Sequence, residues 1–187
     1  MVPWTFFTSS LTSGIPSLTG NMNLVTKIYF PREILPLAGI GAAFVDFLLS
    51  VLVLIGLMLF YRSVPGILAL WVVPLLSLQV ILSIGVVLLG STIIVFFRDM
   101  RFVLPLLITI WMYACPIVYP ASNVPEEWQT LYFLNPMAGI IESYRDILLE
   151  QSFPGTYIFS AGFISLLIAV IGYWFFKRVE YLFADIV

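Results

Sequence analysis

Long apolar runs dominate the chain, and charge is confined almost entirely to the gaps between them. Ile34 to Phe60 holds one charge, Asp46, while Pro65 to Phe97, Phe102 to Tyr119 and Ser152 to Phe176 hold none. A bilayer core takes about 20 apolar residues as helix, so all four runs read as full spans. A fifth run, residues 1–26, is also uncharged. Thr5, Thr8, Ser9, Ser10, Thr12, Ser13, Ser17 and Thr19 interrupt it. Its start, MVPWTFF, lacks the basic flank of a signal peptide and reads as the continuation of a span. As a straight helix, 65–97 would reach about 50 Å against a core of about 30 Å. Either Pro74 kinks it or its first turns lie outside the core. The pairs Ala38/Ala42 and Gly39/Ala43 sit four apart, a spacing that lets helices approach closely, within the chain or between copies.

The gaps set the orientation. Segments 27–33, 98–101 and 177–187 are each separated by two spans and must share one side. They carry Lys27, Arg32, Arg98, Arg101, Lys177 and Arg178, leaving only Arg62 and Arg145 of the eight cations for the other side. Positive flanks stay in the cytoplasm. The outer side then holds Glu126, Glu127, Glu142, Asp146 and Glu150.

Within the outer segment 120–151, Asn135-Pro136 is a helix start, a capping side chain followed by proline at the first helical position. Met137, Ile140, Ile141, Tyr144, Ile147 and Leu148 then recur at helical spacing, with Glu142, Arg145, Asp146 and Glu150 largely opposite. Glu126-Glu127-Trp128 opens a second short piece that ends in Tyr132-Phe133-Leu134. Two short helices dipping in from the outer surface are expected, either as a gate or as interfacial anchors. On the cytoplasmic side, Lys27-Ile28-Tyr29-Phe30-Pro31-Arg32-Glu33 mixes charge with aromatic groups beside a proline. It suits either a docking surface or a plain positive flank.

Asp46 falls in the middle of its span, where a carboxylate costs about 2.5–3.5 kcal/mol. It is expected to face other helices or a wet cavity, and ion coupling through it is one reading. Cys115, beside Pro116, reads as a packing residue. Tyr113, Tyr119, Trp128, Tyr132 and Phe133 form an interfacial belt whose rings also suit sugar faces.

Composition narrows the chemistry. The chain of 187 residues is 61% hydrophobic and 10% charged, with net charge -2. That balance excludes an ordinary soluble domain, a disordered chain and a nucleic-acid binder. A single cysteine and no histidine remove disulfide, multi-cysteine metal and imidazole chemistry. With no G-x-x-x-x-G-K-[ST], the chain holds no phosphate loop of its own. No catalytic residue, metal or cofactor is expected. No inverted repeat is evident, which weighs against a secondary transporter.

The runs PWTFFTSSL (3–11), GNMNLVTKIYFPREILPLA (20–38), FFRDMRFVLPLLITIWMYACPIVYP (96–120), LNPMAGIIESYRDILL (134–149) and the ending FADIV carry a resemblance over essentially the whole chain. It resembles the membrane subunit of bacterial polysaccharide ABC exporters, the type-2 ABC permeases that move O-antigen, capsular polysaccharide or teichoic acid. The resemblance implies six spans, a homodimer and two copies of a separate P-loop ATPase. It implies a coupling helix between the second and third spans, mapping to Asn21–Glu33. It also implies two re-entrant gate helices between the fifth and sixth, mapping to Val124–Leu149. Against that family the chain starts inside the second span, N-terminally truncated.

The resulting expectation is an all-α polytopic membrane protein of one domain. It has four full transmembrane helices (34–60, 65–97, 102–119 and 152–176), a partial N-terminal one within 1–26, and two short re-entrant helices on the outer side. It sits in the bacterial cytoplasmic membrane as the transport subunit of an ATP-driven exporter of lipid-linked polysaccharide. Lys27, Tyr29, Phe30, Arg32 and Glu33 meet the ATPase, and Trp128, Tyr132, Asn135, Tyr144 and Arg145 form the outer gate. The alternatives are a type-2 permease for a small molecule and an ion-coupled transporter using Asp46.

Overall fold

The computed structural model describes residues 1–21, 24, 30–61 and 66–184. Among these every regular element is a helix and none is a strand. The principal helices are α1 (Val2–Gly14), α2 (Ile34–Phe60), α3 (Val72–Phe96), α4 (Met100–Tyr113), α5 (Glu126–Tyr132), α6 (Pro136–Arg145) and α7 (Tyr157–Val179). Three helical segments are long and apolar enough to cross a membrane: Ile34–Phe60, Ile67–Phe96 and Tyr157–Phe183. The chain is a multi-pass membrane protein by that measure.

α3 is the central helix. Of its most apolar stretch 39% is buried, against 11% for α2 and 17% for the last span. Its partner α7 crosses it at glycines. A Cβ on Gly85 would fall 2.6 Å from the Ala169 backbone nitrogen, and Gly172 packs on the Gly85 backbone from the other side. Small residues at the crossing let the backbones touch. α1 packs on α2 by the same device, since a Cβ on Gly39 would meet Gly14 Cα at 2.7 Å. Around that crossing Phe6 lies 6.0 Å from Phe44 and 5.2 Å from Phe47, ring centre to ring centre.

The hydroxyls that interrupt 1–26 do not stop α1. Ser10 Oγ donates to the Phe6 carbonyl at 2.8 Å, and Thr5, Thr8 and Thr12 bond back one turn in the same way. A hydroxyl so satisfied can sit in an apolar helix. Of the small-residue pairs, Gly39/Ala43 faces α1, whereas Ala38 and Ala42 are exposed.

Three expectations are corrected. The run 102–119 is not one helix: α4 stops at Tyr113 after 14 residues, short of the length needed to span. Pro116 lacks the N–H that the next turn would need, so the chain turns there. Pro74 does not kink the third run. It lies in the first turn of α3, where N–H groups have no intrahelical acceptor, and a 3₁₀ turn, Ile67–Trp71, precedes it. Asp46 does not face other helices of this chain. It is exposed on α2, and among the described residues nothing hydrogen-bonds its carboxylate. Leu48, Leu49, Leu52 and Val53 share that outer surface, which is a lipid-facing pattern far larger than a soluble monomer shows.

Candidate functional site

The positions singled out in the sequence collect at the two ends of the bundle. Lys27 and Tyr29 lie outside the described residues. Phe30, Arg32 and Glu33 are half-buried at the start of α2, where Glu33 is the capping residue. Lys177, in the last turn of α7, places Nζ 2.8 Å from the Glu33 carboxylate and 3.2 Å from Glu180. Arg32 donates to the Glu180 carbonyl. Residues at 30–33 and 177–180 therefore share one end of the bundle. Burial pushes the Glu33 carboxyl up, but the hydrogen bond and charge of Lys177 outweigh it and hold the group below its ordinary range. Lys177 carried no signal in the sequence beyond its sign. Its partner is 144 residues away, and only the helix packing brings the two together.

At the other end, α5 and α6 follow the break after α4. Glu126 and Glu127 stand in the first turn of α5, where negative charge suits the helix N-terminus. α5 buries no residue, and Trp128 is exposed. α6 is the opposite. Met137, Ala138 and Ile140 are fully buried, and Tyr144 nearly so. Only Glu142 and Arg145 on α6 are half-exposed. The charged face expected to line an exit is thus narrower than its composition implied. Asp146 turns inward to accept a hydrogen bond from Tyr157 at the start of α7.

Asn135 organises this end. Its Oδ1 accepts from the Met137 N–H at 3.2 Å and from Trp111 Nε1 at 3.0 Å. Its Nδ2 donates to the Ala114 carbonyl at 3.1 Å and to Cys115 Sγ at 3.3 Å. One side chain therefore caps α6 and satisfies a carbonyl left open where α4 ends. Arg145, at the far end of α6, does the same one turn on. It donates to the Pro116 carbonyl at 2.8 Å while pairing with Glu142 at 2.6 Å. Burial pushes the Glu142 carboxyl up; Arg145 pulls it down, and Asp146 and Glu150 push it up again, for a net rise.

Tyr132 meets Tyr119 tilted, with ring centres 6.4 Å apart and planes at 50°, whereas Phe133 stacks on Tyr157 at 4.6 Å with planes 14° apart. The hydroxyls of Tyr132 and Tyr144 are buried without a partner among the described residues. An apolar groove of about 630 Å³ runs between α1, α3 and α4, lined by Leu11, Ile15, Gly90, Leu104, Trp111 and Asn135. Among the described residues no cluster of acidic, cysteine or histidine side chains could hold a metal, and Cys115 is fully buried. What the arrangement can do is mechanical: one end is tied by charge, and the other is a short helix hung from two carbonyls.

Comparison with known proteins gives the family. The family model described as ABC-2 type transporter matches residues 1–149. An O-antigen export system permease protein RfbA from Klebsiella pneumoniae is 31% identical over 187 residues, all of this chain and 72% of the relative. A second Klebsiella pneumoniae protein of that description is 29% identical over the same coverage. A Myxococcus xanthus one is 30% identical over 160 residues, 82% of this chain and 60% of the relative. The chain belongs to the ABC-2 type transporter family.

Proposed function

We propose that this protein is the membrane subunit of an ATP-driven exporter of lipid-linked polysaccharide across the bacterial cytoplasmic membrane. The observation that carries the reading is similarity along the full chain to permeases described as exporting O-antigen. Each end of the bundle has a role in this reading. Lys27, Tyr29, Phe30, Arg32 and Glu33 form the surface that meets a separate P-loop ATPase. Trp128, Tyr132, Asn135, Tyr144 and Arg145 belong to an outer gate built from two re-entrant helices, α5 and α6.

In this reading α2, α3 and α7 are full spans, the run 102–119 is a fourth completed by the turns after α4 rather than by one helix, and α1 is part of another. Two copies build one sugar-wide passage between them, since a handful of helices from one chain leaves little room for a glycan. Closure of the ATPase on ATP presses the docking segment, and α6 with α5 yields at the outer end. Exposed aromatic rings such as Trp128 offer faces to sugars without demanding one sugar sequence, which suits a polymer that slides.

Deleting the gene and complementing with the full-length copy tests this directly. The null strain is expected to lose surface polysaccharide and accumulate lipid-linked glycan inside, with both reversed by complementation. Normal surface glycan with altered drug or ion tolerance would favour a small-molecule permease or coupling through Asp46 instead. Reversing the charges of Arg32 and Glu33 is expected to reduce ATPase co-purification. Full co-purification would remove the docking assignment.

A further inference from the structure

One helix touches both ends of the bundle. At its cytoplasmic end α7 holds Lys177, whose Nζ lies 2.8 Å from Glu33, and the turn that follows offers the Glu180 carbonyl to Arg32. At its outer end Tyr157 donates to Asp146 and stacks on Phe133, and Ser160 Oγ donates to the Phe133 carbonyl at 3.3 Å. Gly139 of α6 lies so close that a Cβ there would meet Ala161 Cβ at 2.9 Å. Between the two ends α7 runs 23 residues without a proline, about 35 Å at 1.5 Å per residue. It therefore lacks the commonest cause of a kink between its two ends.

α2 starts at the docking segment and is the more obvious route outward. Its outer half does not suit the task, because Leu52, Val53, Leu57, Leu59 and Phe60 are exposed. α7 has a packed partner at each end.

We propose that Lys177 is a positioning residue for transport. It joins the docking segment to α7, so that displacement of Phe30–Glu33 is carried along α7 to Phe133, Gly139 and Asp146. This rests on the docking and gate assignments above. Glu180 completes the tie as a second acceptor for Lys177, and Arg32 reinforces it through the backbone.

The test uses the full-length permease with its ATPase in membranes, reading ATPase binding, hydrolysis and glycan transport separately. Lys177→Met is expected to leave ATPase binding intact and to lower transport per ATP hydrolysed by about fivefold or more, the usual range of coupling between sites. Lys177→Arg should keep the wild-type ratio, because it keeps a cation within reach of Glu33 and Glu180. A lysine that only stabilised the fold would lower the amount of assembled protein and leave transport per ATP hydrolysed unchanged. An unchanged ratio in Lys177→Met, with ATPase bound, overturns this inference and leaves docking standing. Intact binding and hydrolysis after charge reversal at Arg32 and Glu33 overturns docking itself. Should Lys177→Met fail to accumulate, a Glu33→Cys/Lys177→Cys pair in a Cys115→Ala background decides the matter. Bridged by a short bis-maleimide, it should regain the transport per ATP that the unbridged pair lacks, and no gain on bridging would refute the proposal.

Discussion

Asn135 uses all of its side-chain hydrogen-bonding groups, and that makes its substitution informative. Asn135→Ala removes a helix cap worth about 1 kcal/mol and leaves the Ala114 carbonyl and Trp111 N–H without partners, at about 1–3 kcal/mol more. Asn135→Asp is the sharper case. Aspartate caps helices as well as asparagine does, but it cannot donate to Ala114 or Cys115. We expect both variants to lower the thermal midpoint in detergent by similar amounts; a neutral Asn135→Asp would mean that capping alone matters. Glu33 gives a pH prediction with a definite sign. Its folded pKa lies below the ordinary value of 4.5 through its bond to Lys177, despite burial. Its stabilising contribution is therefore full above that value and is lost as pH falls through the depressed one. Stability measured on the acid side should fall in wild type, and Lys177→Met should lack this component of the fall.

At the scale of elements, the tightest constraint is the crossing of α3 and α7. Gly85→Ala would place a Cβ 2.6 Å from a backbone nitrogen, which no rotamer change can relieve. The helices must separate, at about 1–3 kcal/mol or more. A lower thermal midpoint is expected, with none for Gly56→Ala, whose Cβ meets nothing within 4 Å. Which elements were legible in the sequence follows from which signals are local. The long spans and the start of α6 at Asn135-Pro136 are written in short stretches of apolar residues and capping chemistry. The end of α4 at Tyr113 is less so, because apolar residues continue to Tyr119 and only Pro116 marks the break. The inward turn of Asp146, the tie from Lys177 to Glu33 and the three bonds of Asn135 to Trp111, Ala114 and Cys115 were not legible at all. Each joins residues from different elements, and hydropathy carries no record of such partners. Asp46 failed for a related reason: a charge in a span implies a partner, but not one within the same chain.

For the whole molecule, topology comes first. In a Cys115→Ala background, Asn123→Cys should label from outside intact cells with an impermeant thiol reagent and Arg101→Cys should not; the reverse pattern would invert the assignment of both ends. The central claim is that this permease, with an ATPase, moves lipid-linked glycan outward. The most direct measurement is glycan uptake by inverted membrane vesicles, in which the cytoplasmic face is outside. Vesicles from cells expressing the full-length permease and its ATPase should carry labelled lipid-linked glycan into a protected compartment when ATP is supplied. They should fail to do so with a non-hydrolysable analogue or with the permease absent. Protection that is equal with and without ATP, or that persists without the permease, would contradict the account.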